Sequence, residues 1–432
     1  MSELRPRANR SGTVSSVARH GQLPRRRPWL TALKFIAGTL AVLLVSGVSV
    51  AAIALNNLNQ GIDRVELASE DGTKPLPQIG DFDGGFNVLV VGSDTRQGQG
   101  DQFGKSDSEL NDVTMLLHVA QDQTSAVAVS FPRDLVVPIP ACPREDGEGS
   151  YRSMSAQPIN VTLSYGGLAC TVLTVEKLTG LEIPYAGLIT FDGVAQMSTA
   201  VGGVPVCVDG PIKDRYTGLN LPKAGTYNLV GYDALAFLRS RHGVGDGSDL
   251  GRISSQQVYL SSLVRTLQSG GTLTDPTKLY NIATTATQNM QLSNSLANLD
   301  TMVSMANVLR KLDLTQVTFV QYPGTTGQGG VYSGKVAPIK AQAEKLFDKI
   351  RADEPFMLEQ GNTGIGSTVD PNAPVQAAPE PEAPETAAPT ETAAPSDSAT
   401  PAPGETAVAA PAEVLGNVKG QTAADYTCAA AN

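Results

Sequence analysis

Arginines and aspartates gather at the ends of apolar runs along this chain of 432 residues. Gly92-Ser93-Asp94-Thr95-Arg96 directly follows the run 86–91, Asn111-Asp112 opens the next run, and Pro132-Arg133-Asp134 closes a third. In open α/β sheets the carboxyl ends of strands are where ligands bind. Arg239 and Arg241 alternate in a stretch that reads as a strand over 236–241, which would put them on one face about 6.5 Å apart. Asp249, Arg252 and Gln256, at i, i+3 and i+7, share a side of the following helix near its amino terminus. This set suits a doubly phosphorylated group: guanidinium forks grip phosphate oxygens bidentately, and a helix amino terminus adds N–H donors and a favourable dipole. Asp94 and Asp112 then supply the two carboxylates that would hold a hard cation, Mg²⁺ or Mn²⁺, against the phosphates. Ordinary Asp–Arg ion pairing at a surface explains any one of these residues as well, but explains the whole collection poorly.

Other chemistries lack their residues. The sequence contains no GxSxG elbow and no HExxH, and it has three histidines: His20, His118 and His242. His118 lies within an apolar run and reads as a core residue. Gly104-Lys105-Ser106 has the ending of a phosphate-binding P-loop, but Gln99 stands where that loop needs its first glycine.

The elements that must position the arginines can be read from period and punctuation. Residues 86–91, 113–119 and 126–131 are short apolar runs with polar or glycine breaks, the pattern of buried strands. Further strands are expected at 186–191, 204–208, 236–241 and 317–321. Helices fall between them, at about 171–179, 192–201, 276–290, 296–312 and 338–352. The clearest helix begins near Asp249, where Leu250, Ile253, Leu260, Val264 and Leu267 recur at helical spacing. Alternating strands and helices favour an α/β fold with a central sheet and helices on both faces.

A net charge of −10 argues against non-specific coating of nucleic acid, which needs a basic face. The charge is unevenly spread. Residues 1–34 hold eight basic side chains and one acidic, and residues 35–55 hold none of either sign. Those 21 residues would make a helix about 31 Å long, enough to cross a bilayer core, and the basic flank places its amino-terminal side in the cytoplasm. The alternative is a cleaved signal peptide ending near Ala52 or Ala54; either way everything after residue 56 is exported. Cys142, Cys170, Cys207 and Cys428 fit an oxidising compartment and, with no CxxC or histidine-rich spacing, read as disulfides. Of three connectivities the simplest joins Cys142 to Cys170 across a Gly/Pro-rich excursion and leaves Cys207 for Cys428, fastening the last residues to the body. Residues 353–420, with their Pro/Ala/Glu/Thr-rich run, read as a disordered linker. The expected order is therefore a basic arm (1–34), a transmembrane helix (35–55), a connector (56–85), a catalytic domain (86–352), the linker (353–420) and a tethered segment (421–432).

The runs FNVLVVGSDTR (86–96), NDVTMLLHV (111–119), SFPRDLVVPIP (130–140), FDGVAQMSTAVGGVPVCV (191–208) and ALAFLRSRHGVGDGSDLGRISSQQ (234–257) resemble, in order and content, the LytR–CpsA–Psr family. The resemblance covers residues 86 to about 270. It implies a mostly mixed sheet sandwiched by helices and a membrane-anchored phosphotransferase outside the plasma membrane. Such an enzyme moves a glycopolymer from a polyprenyl-pyrophosphate carrier in the membrane lipid onto peptidoglycan, with no nucleic-acid partner. It further implies that Asp94 and Asp112 bind Mg²⁺. Arg96, Arg133, Arg239, Arg241, Arg252 and Gln256 would contact the pyrophosphate, Asp249 would orient the arginines, and catalysis would centre on Asp94, Arg133, Arg239, Asp249 and Arg252. An apolar tunnel for the prenyl chain is also implied. One departure stands out: the family often has an arginine two residues before the second aspartate, where this chain has Leu110, so Arg96 or Arg152 would have to supply that contact. Two other activities are compatible with the same parts, a polyprenyl-pyrophosphate hydrolase and a non-catalytic wall-binding or regulatory protein.

Overall fold

Successive residues of the first apolar run point to opposite sides of a sheet, and each side finds its own core. Leu89 and Val91 join one buried cluster, Phe86 and Val88 another. The computed structural model describes residues 28–60, 62–70, 82–95, 109–144, 148–269, 271–272, 275–359, 361–373 and 413–432, in two compact units, 1–57 and 58–432. In the first unit begins helix α1 (Pro28–Gln60). Its window Ala32–Ser49 has a mean hydropathy of 1.9, and among the described residues α1 is the one helix long and apolar enough to cross a membrane. The expected span lies inside it. Most of the basic arm, part of the connector and the stretch 374–412 lie outside the described residues.

In chain order the second unit carries β1 (Asp63–Val65), β2 (Phe86–Ser93), β3 (Asn111–Val119), β4 (Ala126–Phe131), β5 (Val136–Ile139), β6 (Met154–Pro158), α2 (Thr162–Thr179), β7 (Tyr185–Ile189), α3 (Phe191–Val201) and β8 (Val204–Val208). There follow β9 (Ile212–Asp214), β10 (Leu219–Leu221), β11 (Gly225–Leu229), α4 (Tyr232–Arg239), α5 (Asp249–Ser269), α6 (Pro276–Asn289), β12 (Met290–Ser293), α7 (Leu299–Lys311) and β13 (Val317–Gln321). Last come β14 (Gly324–Thr325), β15 (Ala337–Pro338), α8 (Lys340–Arg351), β16 (Phe356–Leu358), β17 (Ser367–Val369), β18 (Glu413–Leu415), β19 (Gly420–Thr422) and β20 (Thr427–Ala429).

Eight strands form the central sheet in the order β1-β12-β7-β2-β3-β4-β13-β19. It is mixed: β2, β3 and β4 make an antiparallel meander, while β7 runs parallel to β2 and β13 parallel to β4. Helices α2 and α8 cover one face through Val172, Val175, Leu346 and Phe347. Helix α7 covers the other with Met305 and Val308, joined by Leu260 and Val264 of α5. Every residue of β4 is buried, as a strand covered on both faces requires. This is the α/β/α arrangement read from the sequence. A second sheet, β11-β8-β20-β17, packs a third core around Val206, Phe237 and Tyr259.

The structure corrects two expectations. Residues 236–241 are not a strand: α4 runs through Arg239, and Ser240 ends it in extended conformation. Ala234, Leu235 and Phe237 are its buried residues, a helical spacing in a segment with no β-branched side chain. Arg239 and Arg241 therefore lie on different elements. Nor is 353–420 structureless throughout. Strand β16 pairs in parallel with β18, Phe356 and Leu358 pack on the main core, and β17 joins the second sheet. Apolar residues continue past 353 and return at Leu415 and Val418, both buried, so the composition of the proline-rich middle does not represent its flanks.

Both disulfides join the expected pairs, Cys142–Cys170 and Cys207–Cys428. The first needs Gly166 at the kink of α2, because a Cβ there would come within 3.0 Å of Cys170 Cβ and of Pro143 O. His118 is buried, as read, but it is hydrogen-bonded: its ring nitrogens meet Asn87 Oδ1 at 2.8 Å and Asp353 Oδ1 at 2.9 Å.

Candidate active site

The site starts from an irregularity between β2 and β3. Gly92 pairs with Val113 and Ser93 with Asn111, so Asp112 is the extra residue of a bulge, the device by which a sheet re-aims a side chain. Beyond the bulge Asp94 N donates to Leu110 O (2.9 Å) and Leu110 N donates to Asp94 Oδ1 (2.7 Å). The two carboxylates thus sit on adjoining strand ends, and Leu110 acts through its backbone.

Three guanidiniums converge nearby. Arg133, just beyond β4, donates from Nη1 to Asp112 Oδ1 and from its backbone N to Asp249 Oδ2 (3.1 Å). Arg241 Nη2 donates to Asp249 Oδ1 (2.8 Å). Arg252 Nη2 reaches Asp249 Oδ1 (2.7 Å) and Asp112 O (2.7 Å), and its Nη1 lies 4.0 Å from Asp112 Oδ1. Asp249 is thus the hub, placed in the first turn of α5 where the helix dipole also favours its charge. Its side chain is 7% exposed and that of Arg252 4%. Burial alone would push the Asp249 carboxyl up, but the charges of Arg252 and Arg241 and the hydrogen bonds from Arg241 and the Arg133 N–H hold it below the usual carboxylate range. Burial lowers Arg252, and Asp249 and Asp112 only partly offset that; an arginine starts so high that it stays charged. For Arg133 burial is outweighed by Asp112, which raises it.

The cluster is not self-sufficient. The Nε atoms of Arg133, Arg241 and Arg252 are buried without a hydrogen-bond partner, and buried polar atoms are otherwise nearly always paired. Buried cationic donors without a hydrogen-bond partner are donors that an anion could satisfy.

Beside the cluster lies a cavity of about 350 Å³ lined by the polar Asp112, Arg239, Arg252 and Gln256 and by the apolar Val90, Met115, Val194, Met197, Leu260, Leu263, Leu267 and Ile282. One face of α5 runs along it, polar at Arg252 and Gln256 and apolar from Tyr259 onward. From Arg252 to Leu267 that face is about 22 Å long. Arg239, at the end of α4, lies over the Phe191 ring at 3.9 Å. Gln256 Nε2 donates to Leu238 O (2.8 Å), so one of its amide hydrogens ties α5 to α4.

Asp94, Asp112, Arg133, Arg239, Arg241, Asp249, Arg252 and Gln256 thus occupy one region, and Arg96 lies outside the described residues. Arg152 is exposed, and its carbonyl accepts from Tyr165 Oη in the cluster around the Cys142–Cys170 bridge. Sequence reading missed Asp214, whose buried carboxylate accepts from Ser240 Oγ (2.9 Å), Arg241 N (3.0 Å) and His242 N (3.1 Å) and so fixes the turn that carries Arg241. It also missed Phe191 beneath Arg239. The signal for Asp214 was a lone acid closing an apolar strand pair.

The donor set suits a hard cation. Asp94 and Asp112 offer carboxylate oxygen, and among the described residues no hydrogen bond engages Asp112 Oδ2. Phosphate oxygens and water complete such a shell in sites of this kind. The one other group of metal-binding residue types among the described residues is Cys207, Asp370 and Cys428, and its two sulfurs are bonded to each other.

The LytR_cpsA_psr family model matches residues 54–350. The cell wall biosynthesis protein LcpA of Corynebacterium glutamicum is 30% identical over 341 residues, covering 72% of this chain and 63% of that relative. The polyisoprenyl-teichoic acid–peptidoglycan teichoic acid transferase TagT of Bacillus subtilis is 28% identical over 321 residues, 72% of this chain and 92% of TagT. Among solved structures, a LytR-Csp2A-Psr enzyme from Actinomyces oris aligns with a TM-score of 0.45 at 23% identity, over 67% of this chain and 95% of that one.

Proposed function

Because the chain belongs to the LytR_cpsA_psr family, we propose that it transfers a glycopolymer from a polyprenyl-pyrophosphate carrier to peptidoglycan outside the plasma membrane. The observation that carries this reading is the junction on α5 of a buried arginine cluster with a long apolar cavity. An amphiphile with an anionic head and a hydrocarbon tail matches both halves at once. The names of LcpA and TagT, a cell wall biosynthesis protein and a teichoic acid–peptidoglycan transferase, support the same reaction class.

In this reading the prenyl chain lies along Leu260, Leu263 and Leu267, and Arg133, Arg239, Arg241 and Arg252 grip the pyrophosphate. Asp249 keeps the arginines aimed. Asp94 and Asp112 would hold Mg²⁺, or Mn²⁺ in its place, which when bound neutralises and polarises phosphate oxygens. A peptidoglycan hydroxyl attacks the phosphorus next to the glycopolymer, and polyprenyl phosphate leaves. The protein's part is positioning and charge stabilisation by pre-aimed donors. Asp249 is a poor proton acceptor because Arg252 and Arg241 hold it below the usual carboxylate range, and Asp112 is already engaged by Arg133 Nη1. Asp94 and Asp134 remain for the hydroxyl proton, and separate Asn variants distinguish them. Helix α1 would tether the exported body to the membrane that holds the lipid, raising its effective concentration.

The test uses the full chain in detergent with a polyprenyl-pyrophosphate oligosaccharide and a peptidoglycan acceptor. Transfer should appear, cease on chelation of divalent cations, and be lost in Arg252→Ala and Asp94→Ala. Unchanged activity in both variants refutes the site, and carrier cleavage that ignores the acceptor makes the protein a hydrolase.

A further inference from the structure

We propose that residues 427–432 are a positioning element of the arginine cluster: their backbone holds the loop 241–247 so that Arg241 stays on Asp249. This rests on the reading of Arg241 as a phosphate-gripping side chain. The loop has few bonds of its own, Val244 N to Arg241 O (3.2 Å) and Gly247 N to Val244 O (3.1 Å). On one side Asp214 fixes its first residues. On the other, Gly245 N donates to Ala430 O (2.9 Å), Asn432 N to Gly243 O (3.1 Å) and Asn432 Nδ2 to His242 O (3.0 Å), and Val244 forms an antiparallel bridge with Ala431.

These residues are themselves anchored. Ala430 N donates to Gly366 O (3.0 Å) and Ala431 N to Asp209 Oδ1 (2.8 Å), β20 lies between β8 and β17, and Cys428 is bonded to Cys207. Segment 363–367 then presses on the start of α5. A Cβ at Gly366 would lie 1.9 Å from Gly251 O, and one at Gly245, already at φ +53°, would lie 3.1 Å from Ile365 O. Three backbones therefore stack without side chains between them, and the loop cannot shift alone. Arg241 depends on this brace because its guanidinium makes one described hydrogen bond, to Asp249, while its Nε has none. Its aim comes from the backbone.

The experiment removes residues 430–432 from the full chain, which keeps the Cys207–Cys428 bridge and the β20 pairing. Transfer from the polyprenyl-pyrophosphate oligosaccharide should fall on the order of ten- to a hundredfold in kcat/KM, the scale for a misplaced group. The same deletion in an Arg241→Ala background should cost nothing further, since it acts through Arg241. No loss in the native background, or an equal loss in both, overturns the proposal. If the shortened chain fails to fold, Asn432→Ala, which removes only the bond to His242 O, goes through the same cycle with a few-fold expected loss and the same overturning results. Arg241→Ala with full activity would refute the phosphate role of Arg241 itself, and this proposal with it; a reduced Arg241→Ala whose effect adds to the deletion refutes this proposal alone.

Discussion

The two halves of α5 face one cavity with opposite chemistry. The first turns bury Asp249, Arg252 and Gln256 in a mesh of ion pairs and amide bonds; the later turns offer Leu260, Leu263 and Leu267. Burying charge is costly unless it is paired, and here the pairing is incomplete at three Nε atoms. The apolar half carries no such tension. The difference teaches where specificity of each kind would reside: the reacting group would be read at the amino end, and the carrier along the rest.

Removing charge from the first half should have the largest effect. Arg252→Ala should lower transfer about a thousandfold, the upper range for losing one pre-aimed donor, measured as kcat/KM with the full carrier. Next comes Leu263→Trp in the second half. Displacing three to four carbons of the lipid at about 0.8 kcal/mol per buried CH₂ should raise KM for a long-chain carrier about a hundredfold and leave a very short-chain analogue untouched. Equal losses on both carriers would erase the distinction between the halves. Phe191→Leu, which takes the ring from beneath Arg239, should cost about three- to tenfold, in line with a cation–π contact of about 1 kcal/mol, and Phe191→Tyr should retain activity.

The smallest expected change is with pH. Asp249 has a folded pKa below its unfolded value, so its contribution to stability is complete above the ordinary carboxylate range and is lost only as pH falls through the lowered folded value. Thermal stability attributable to Asp249 should therefore be flat between about pH 7 and pH 5, read as the difference between the native chain and Asp249→Asn. A gain in that difference as pH falls from about 7 to about 5 would mark a raised carboxyl, one not held down by Arg252 and Arg241.

Much of this was legible before the structure. Strands with two-residue alternation and helices with long stripes announce themselves, and so β2, β3, β4 and α5 fell where the pattern placed them. Segment 236–241 misled because Arg239 and Arg241 alternate as strand neighbours do, while the apolar residues around them keep helical spacing. Both arginines still reach the site, one from a helix end and one from a turn. The brace was invisible for a different reason. Gly366 and Ala430 act through backbone atoms, and so in part does Asn432, and no residue type advertises that. Asp214 likewise does its work through three donors brought in from residues 240–242, a long-range convergence that spacing along the chain does not encode.

The most direct measurement is product analysis after incubating the full chain with a polyprenyl-pyrophosphate oligosaccharide and peptidoglycan. The account predicts a phosphodiester joining the oligosaccharide to the peptidoglycan, with polyprenyl monophosphate released in equal amount, and neither product with Arg252→Ala. Free oligosaccharide phosphate formed at the same rate with and without peptidoglycan would contradict it.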